Sequence, residues 1–86
     1  MDLDQGGAPA PRQYANHVDV GYSAFEFLLD FAQAYPGRPA ARVAARIVMS
    51  PAYAKCFLEV LGRSVGEYEE RFGAIELPTE HEPTET

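Results

Sequence analysis

The sequence predicts an α+β fold: a three-stranded antiparallel β-meander followed by one long C-terminal helix, in the order β-β-β-α. Three observations carry this. Apolar residues alternate with a period of two through three segments between Tyr14 and Met49. The period changes to that of a helix at Ser50-Pro51, and the helical pattern then persists to Phe72, where Gly73 follows.

The first segment is "YANHVDVGY", with Val18, Val20 and Tyr22 on one face and His17 and Asp19 on the other. A turn is expected over Gly21 to Ala24. The second, "FEFLLDFAQAY", places Phe25, Phe27, Leu29 and Phe31 in alternation with Glu26, Leu28, Asp30 and Ala32, the strongest strand pattern in the chain. "PGRP" ends it, because proline and glycine punctuate strands. In the third, "ARVAARIVM", Val43, Ala45, Ile47 and Met49 are expected on one face and Arg42, Ala44, Arg46 and Val48 on the other.

The outer faces of the second and third segments carry opposite charges at the same spacing. One antiparallel register sets Asp30 beside Arg42 and Glu26 beside Arg46; a slip of four sets Asp30 beside Arg46. Cross-strand pairs of this kind are stabilising. An alternative use of Arg38, Arg42 and Arg46 is contact with an anion or a nucleic acid.

The fourth element begins at a cap. Ser50 offers a side-chain oxygen to an orphan backbone N–H, and Pro51 suits the first helical position, where no N–H is required. Gly73 suits the C-terminal cap. Between them Ala54, Phe57, Leu58, Leu61, Val65, Tyr68 and Phe72 form one apolar stripe, expected to pack on the sheet face of Phe25, Phe27, Leu29 and Phe31. Tyr53, Cys56 and Val60 form a second apolar flank beside that stripe. One small sheet does not cover so wide an arc, so these three residues are the expected interface with another chain. Gly62 and Gly66 lie on the opposite side of the helix and lower its intrinsic helicity.

Length and charge bound the organisation. With 86 residues the chain makes one domain at most, and a domain of this size gains from oligomerisation. The net charge is −6, of which residues 74–86 carry −4 through Glu76, Glu80, Glu82 and Glu85. The expected layout is a flexible N-terminal arm over residues 1–13, a single domain over residues 14–76, and a disordered acidic tail over residues 77–86. The acidic N-terminus has no apolar core of a signal peptide, no apolar run approaches a membrane span, and the single cysteine, Cys56, precludes an internal disulfide. These features point to a cytoplasmic protein that does not contact a membrane.

Two blocks, "YANHVDVGYSAFEFLLDFAQ" and "ARIVMSPAYAKCFLEVLGRSVGEYEERFG", resemble a bacterial family known only as a domain of unknown function, number three-four-six-seven. The matching positions are Asn16, Ser23, Glu26, Phe27, Asp30, Phe31, Ala45 to Pro51, Ala54, Lys55, Tyr68, Glu69 and Gly73, with "RIVMSP" the most specific run. The chain departs from the family pattern at Cys56, Gly62 and Gly66. The resemblance implies a compact β-β-β-α unit and brings with it no activity, cofactor or catalytic residue.

No constellation in the sequence supports catalysis. His17 and His81 are far apart, and His17 with Asp19 alone makes neither a triad nor a metal site. "GRSVG" lacks the Lys-Ser/Thr of a phosphate loop, and Ser50 lacks the flanking glycines of a nucleophile elbow. The expectation is a non-enzymatic, self-associating interaction or adaptor module without catalytic, cofactor or metal residues. It forms a homodimer through sheet edges or helix flanks, and docks on a larger protein assembly. The alternative is a single-stranded nucleic-acid-binding module that uses a sheet face, a reading weakened by the near-neutral charge of the domain.

Overall fold

The computed structural model describes residues 10–78. The N-terminal arm up to residue 9 and the acidic tail from residue 79, on which the expectations of flexibility fall, lie outside the described residues. Three strands, β1 (His17–Tyr22), β2 (Phe27–Gln33) and β3 (Arg42–Met49), precede a single helix, α1 (Pro51–Phe72). The sheet order is β1-β2-β3 with both pairings antiparallel, which is the predicted meander.

The connection from β1 to β2 is tighter than the alternation of Phe25 suggests. Gly21 and Tyr22 remain in β1, and the turn occupies Ser23 to Glu26. The Ser23 N–H donates to the Glu26 carbonyl at 2.9 Å, and the Phe25 N–H donates to Ser23 Oγ at 3.2 Å. This hydroxyl-closed turn takes Phe25 out of the strand, leaving it at the tip and 86% exposed. The strand therefore starts at Phe27, whose ring stacks on Tyr22 at a centroid distance of 5.8 Å.

The β2–β3 connection turns at Tyr35-Pro36-Gly37-Arg38. Proline at the second position, Gly37 at φ +81°, and a 3.2 Å bond from the Arg38 N–H to the Tyr35 carbonyl are the features of a type II turn. The Arg38 guanidinium lies over the Tyr35 ring, 5.5 Å from its centroid.

Register places nine apolar residues on one sheet face. Val18, Val20 and Tyr22 pair with Phe31, Leu29 and Phe27, which pair in turn with Ala45, Ile47 and Met49. A bulge interrupts the other end. Phe31 pairs with Ala45 but Ala32 pairs with Val43, so Ala44 is the extra residue. Beyond the bulge β3 changes face. Val43 leaves the apolar face, contrary to simple alternation, and Arg42, paired with Gln33, stands on the opposite side from Arg46, paired with Asp30.

The helix ends where its caps dictate. Ser50 has extended backbone (φ −68°, ψ 157°) and its Oγ accepts from the Tyr53 N–H at 3.1 Å. At the other end Gly73, at φ +101°, donates its N–H to the Glu69 carbonyl at 2.9 Å. The Glu69 carboxylate also accepts from the Ile75 N–H at 2.8 Å, which holds the chain leaving the helix.

The expected packing of α1 on its own sheet is not what the structure shows. No residue of α1 is buried, and the extensive contacts between elements are those of β1 with β2 and of β2 with β3. The buried apolar side chains among the described residues are Leu29 (6% exposed) and Ala32 (4%), both within the sheet. The physical reason lies at the joint. Ser50 alone separates the last residue of β3 from the first of α1, whereas a connection that reverses a helix onto the preceding strand commonly takes two to six residues.

Candidate interaction surface

Two apolar surfaces stand largely exposed among the described residues. The first is the helix stripe. Phe57, Leu58, Leu61, Val65, Tyr68 and Phe72 are all exposed, Leu58 and Phe72 at 70% and 67%. Their spacing of three and four residues keeps them on one side of α1, and the Tyr68 and Phe72 rings touch at a centroid distance of 5.0 Å. The sequence-predicted interface residues continue this surface around the helix. Tyr53 and Val60 are exposed at 71% and 57%, and the Cys56 thiol is free and exposed.

The second surface is the apolar sheet face. Leu29 at its centre is buried, but Val18, Tyr22 and Ile47 are open to solvent and Phe27, Phe31 and Met49 are half-buried. A face built from three aligned apolar rows normally meets another layer of structure. No element among the described residues supplies that layer.

The arginines of the alternative reading do not form one patch. Arg38 is engaged with Tyr35 in the turn. Arg46 Nε donates to Asp30 Oδ1 at 3.1 Å and Nη2 to Oδ2 at 3.4 Å, a two-pronged pair that realises the slipped register rather than the Asp30–Arg42 one. The hydrogen bond to Asp30, and secondly its charge, raise the Arg46 pKa above the ordinary arginine value. Arg42 stands near the bulge on the other face, beside Gln13, Gln33, Val43 and Ala44. The alternation of "ARVAARIVM" conceals this separation, since nothing in the two adjacent alanines marks which one is extra.

His17 Nε2 and Asp19 Oδ1 lie 3.1 Å apart on the solvent side of β1, both side chains exposed. Among the described residues no three His, Cys, Asp or Glu side chains gather as metal ligands, and no helix is long and apolar enough to cross a membrane.

A polar cluster that the sequence reading missed holds the open end of the meander. The Asn16 side-chain amide bonds both backbone groups of Ala34, accepting from its N–H at 2.8 Å and donating to its carbonyl at 3.0 Å. Gln33 Nε2 donates to the Tyr14 carbonyl at 2.9 Å, and the Tyr35 hydroxyl donates to Gln33 Oε1 at 2.6 Å. The asparagine just before the alternating run was the available signal, since a short amide side chain at a strand start can bond backbone.

With Asn16, the Asp30–Arg46 pair and the capped Ser-Pro joint in place, the chain can be set beside known protein families. The model of a family described as "Protein of unknown function (DUF3467)" covers residues 6–77. The chain belongs to this family. The DUF3467 match spans all three strands and the whole of α1, so sheet and helix together constitute the family's unit. No curated protein and no solved structure matches the chain.

Proposed function

We propose that this DUF3467 chain is a self-associating interaction module whose working unit is a homodimer. The observation that carries the reading is the helix: 22 residues, amphipathic, and with no residue buried. Most helical stability in proteins comes from packing an apolar face. A helix whose large apolar side chains from Phe57 to Phe72 are all solvent-exposed therefore has a partner surface elsewhere. Exposed patches of this extent on small proteins mark association sites, and symmetric dimers are the commonest assembly of identical chains. Tyr53, Cys56 and Val60 widen the contact beyond the main stripe, and whatever the second copy leaves open is available to a larger assembly.

Light scattering of the purified chain tests the proposal. A mass of two chains at micromolar concentration supports it. A single-chain mass at high micromolar concentration, with the helix intact by circular dichroism, refutes it.

A further inference from the structure

We infer that the dimer is formed by helix exchange: each copy's α1 lies across the apolar sheet face of the other. The inference rests on the self-association proposed above and specifies its geometry. Three observations converge on it. First, the described residues present two exposed apolar surfaces, one on a helix and one on a sheet, the pair that ordinarily forms the two layers of an α+β domain. Secondly, the two make no extensive contact among the described residues, and Ser50, extended and used as the N-cap, is the sole residue between β3 and α1. A joint too short to reverse the chain directs the element to another molecule, as in domain swapping. Thirdly, the dimensions agree. The stripe from Phe57 to Phe72 runs about 23 Å at 1.5 Å per residue, and Phe27 to Gln33 of β2 runs about 20 Å at 3.3 Å per residue. The first turn and a half of α1, before Phe57, then serves as the span between the two sheets.

The area is also adequate. The six stripe residues leave roughly 600 Å² uncovered and the sheet face roughly 400 Å², taking about 200 Å² for a fully exposed large side chain. Both surfaces of both copies are covered in a reciprocal exchange, so about 2,000 Å² is buried in total, against about 1,600 Å² for a standard interface. A dimer of helices alone leaves both sheet faces open.

Complementation in trans separates these arrangements. Leu61→Glu breaks the helix stripe and Ile47→Glu breaks the sheet face. Exchange predicts that each variant alone is monomeric at concentrations where the unaltered chain is dimeric. An equimolar mixture regains a dimer of one copy of each, because the sound helix of one still meets the sound sheet of the other. With one of two contacts left, that dimer dissociates at higher concentration than the parent. An Ile47→Glu chain that remains fully dimeric alone, or a mixture that stays monomeric, overturns the exchange while leaving self-association standing. A monomeric parent chain overturns self-association itself. A second variant does not depend on the charged substitutions. Inserting six Gly/Ser residues between Met49 and Ser50 lets α1 return to its own sheet, and the expected product is a helical monomer. A product that stays dimeric on dilution counts against the short joint as the cause and overturns the inference.

Discussion

The side-chain amide of Asn16 stands against Ala34 as a backbone peptide would, accepting from its N–H at 2.8 Å and donating to its carbonyl at 3.0 Å. The Asn16 N–H itself reaches the Ala32 carbonyl at 3.0 Å. One residue thus supplies two rungs, and the β1–β2 ladder extends beyond the last paired backbone. On the other side of β2, the bulge at Ala44 falls between Phe31 and Ala32.

Asn16→Ala removes both bonds to Ala34 and is expected to destabilise the fold by about 1–2 kcal/mol, given the usual net worth of an intramolecular hydrogen bond. Asn16→Asp keeps the acceptor but places a second acceptor against the Ala34 carbonyl, so it should not restore the parent stability. Urea melts of the three proteins check this. Equal midpoints for parent and Asn16→Ala would show that water replaces the amide without loss.

The N-cap gives a second expectation. Ser50→Ala removes the acceptor of the Tyr53 N–H, at a cost of about 1 kcal/mol, and Ser50→Asp should retain most of the stability because its carboxylate caps the same donor. Thermal midpoints followed at a helix wavelength report the order parent, Asp, Ala. Loss of dimer in Ser50→Asp at unchanged helicity would assign Ser50 a contact across the interface in addition to its cap.

How far the sequence reached can be judged at this same joint. The helix ends were legible because capping is local chemistry: a hydroxyl, a proline and a terminal glycine each act within four residues of themselves. The three strands were legible from alternation. Alternation failed where local hydrogen bonding overrode it, at Phe25, which Ser23 draws into a turn, and at the Ala44 bulge, where two alanines give no contrast of face. The Asp30–Arg46 pair was one of two registers the charges allowed. Most instructive is α1. Its stripe states that a face is to be covered, and nothing in a stripe states by which molecule. The pattern marks Tyr53, Cys56 and Val60 as the uncovered part, whereas the large residues of the main stripe are exposed as well.

The turn at Gly37 supports a third prediction. At φ +81° this position is left-handed, and a Cβ there meets no atom within 4 Å. Gly37→Ala is therefore penalised by backbone strain alone, by about 1 kcal/mol. Gly62→Ala and Gly66→Ala also meet open space, but in a helix, and should each gain about 0.8–1 kcal/mol if α1 is bare at those positions in the assembly. Opposite signs at Gly37 and Gly62, read from thermal melts, are the expected result. Destabilisation by Gly62→Ala would show that the helix backbone is closely approached there.

The Asp30–Arg46 pair gives a prediction about salt and pH. Arg46 is solvent-exposed, so the pair contributes little and is screened at about 1 M salt. Its pKa is raised in the folded state, so its contribution is complete below the ordinary arginine range and is lost only as pH rises through the still higher folded value. Protonation of Arg46 therefore gives no stability change between about pH 6 and pH 9. Arg46→Gln should leave the shape of the stability profile across that range unaltered. A parent-minus-variant difference that changes with pH there would reveal a titrating neighbour other than Arg46.

The last prediction concerns the coupling of folding to assembly. The sheet alone buries Leu29 and Ala32 and little else, and the helix buries nothing. Neither layer has, among the described residues, the apolar contact that offsets the entropy of ordering it. Helix and sheet should then melt in one transition, and its midpoint should depend on protein concentration, because a dimer that unfolds to two chains gains stability by mass action. With about 2.1 cal/mol/K per residue and roughly 125 ordered residues in the dimer, a tenfold dilution should lower the midpoint by about 5 °C. Circular dichroism over two decades of concentration measures it. A midpoint independent of concentration would mean that each chain is stable alone, and the bare stripe of α1 would then need a cover other than a second copy.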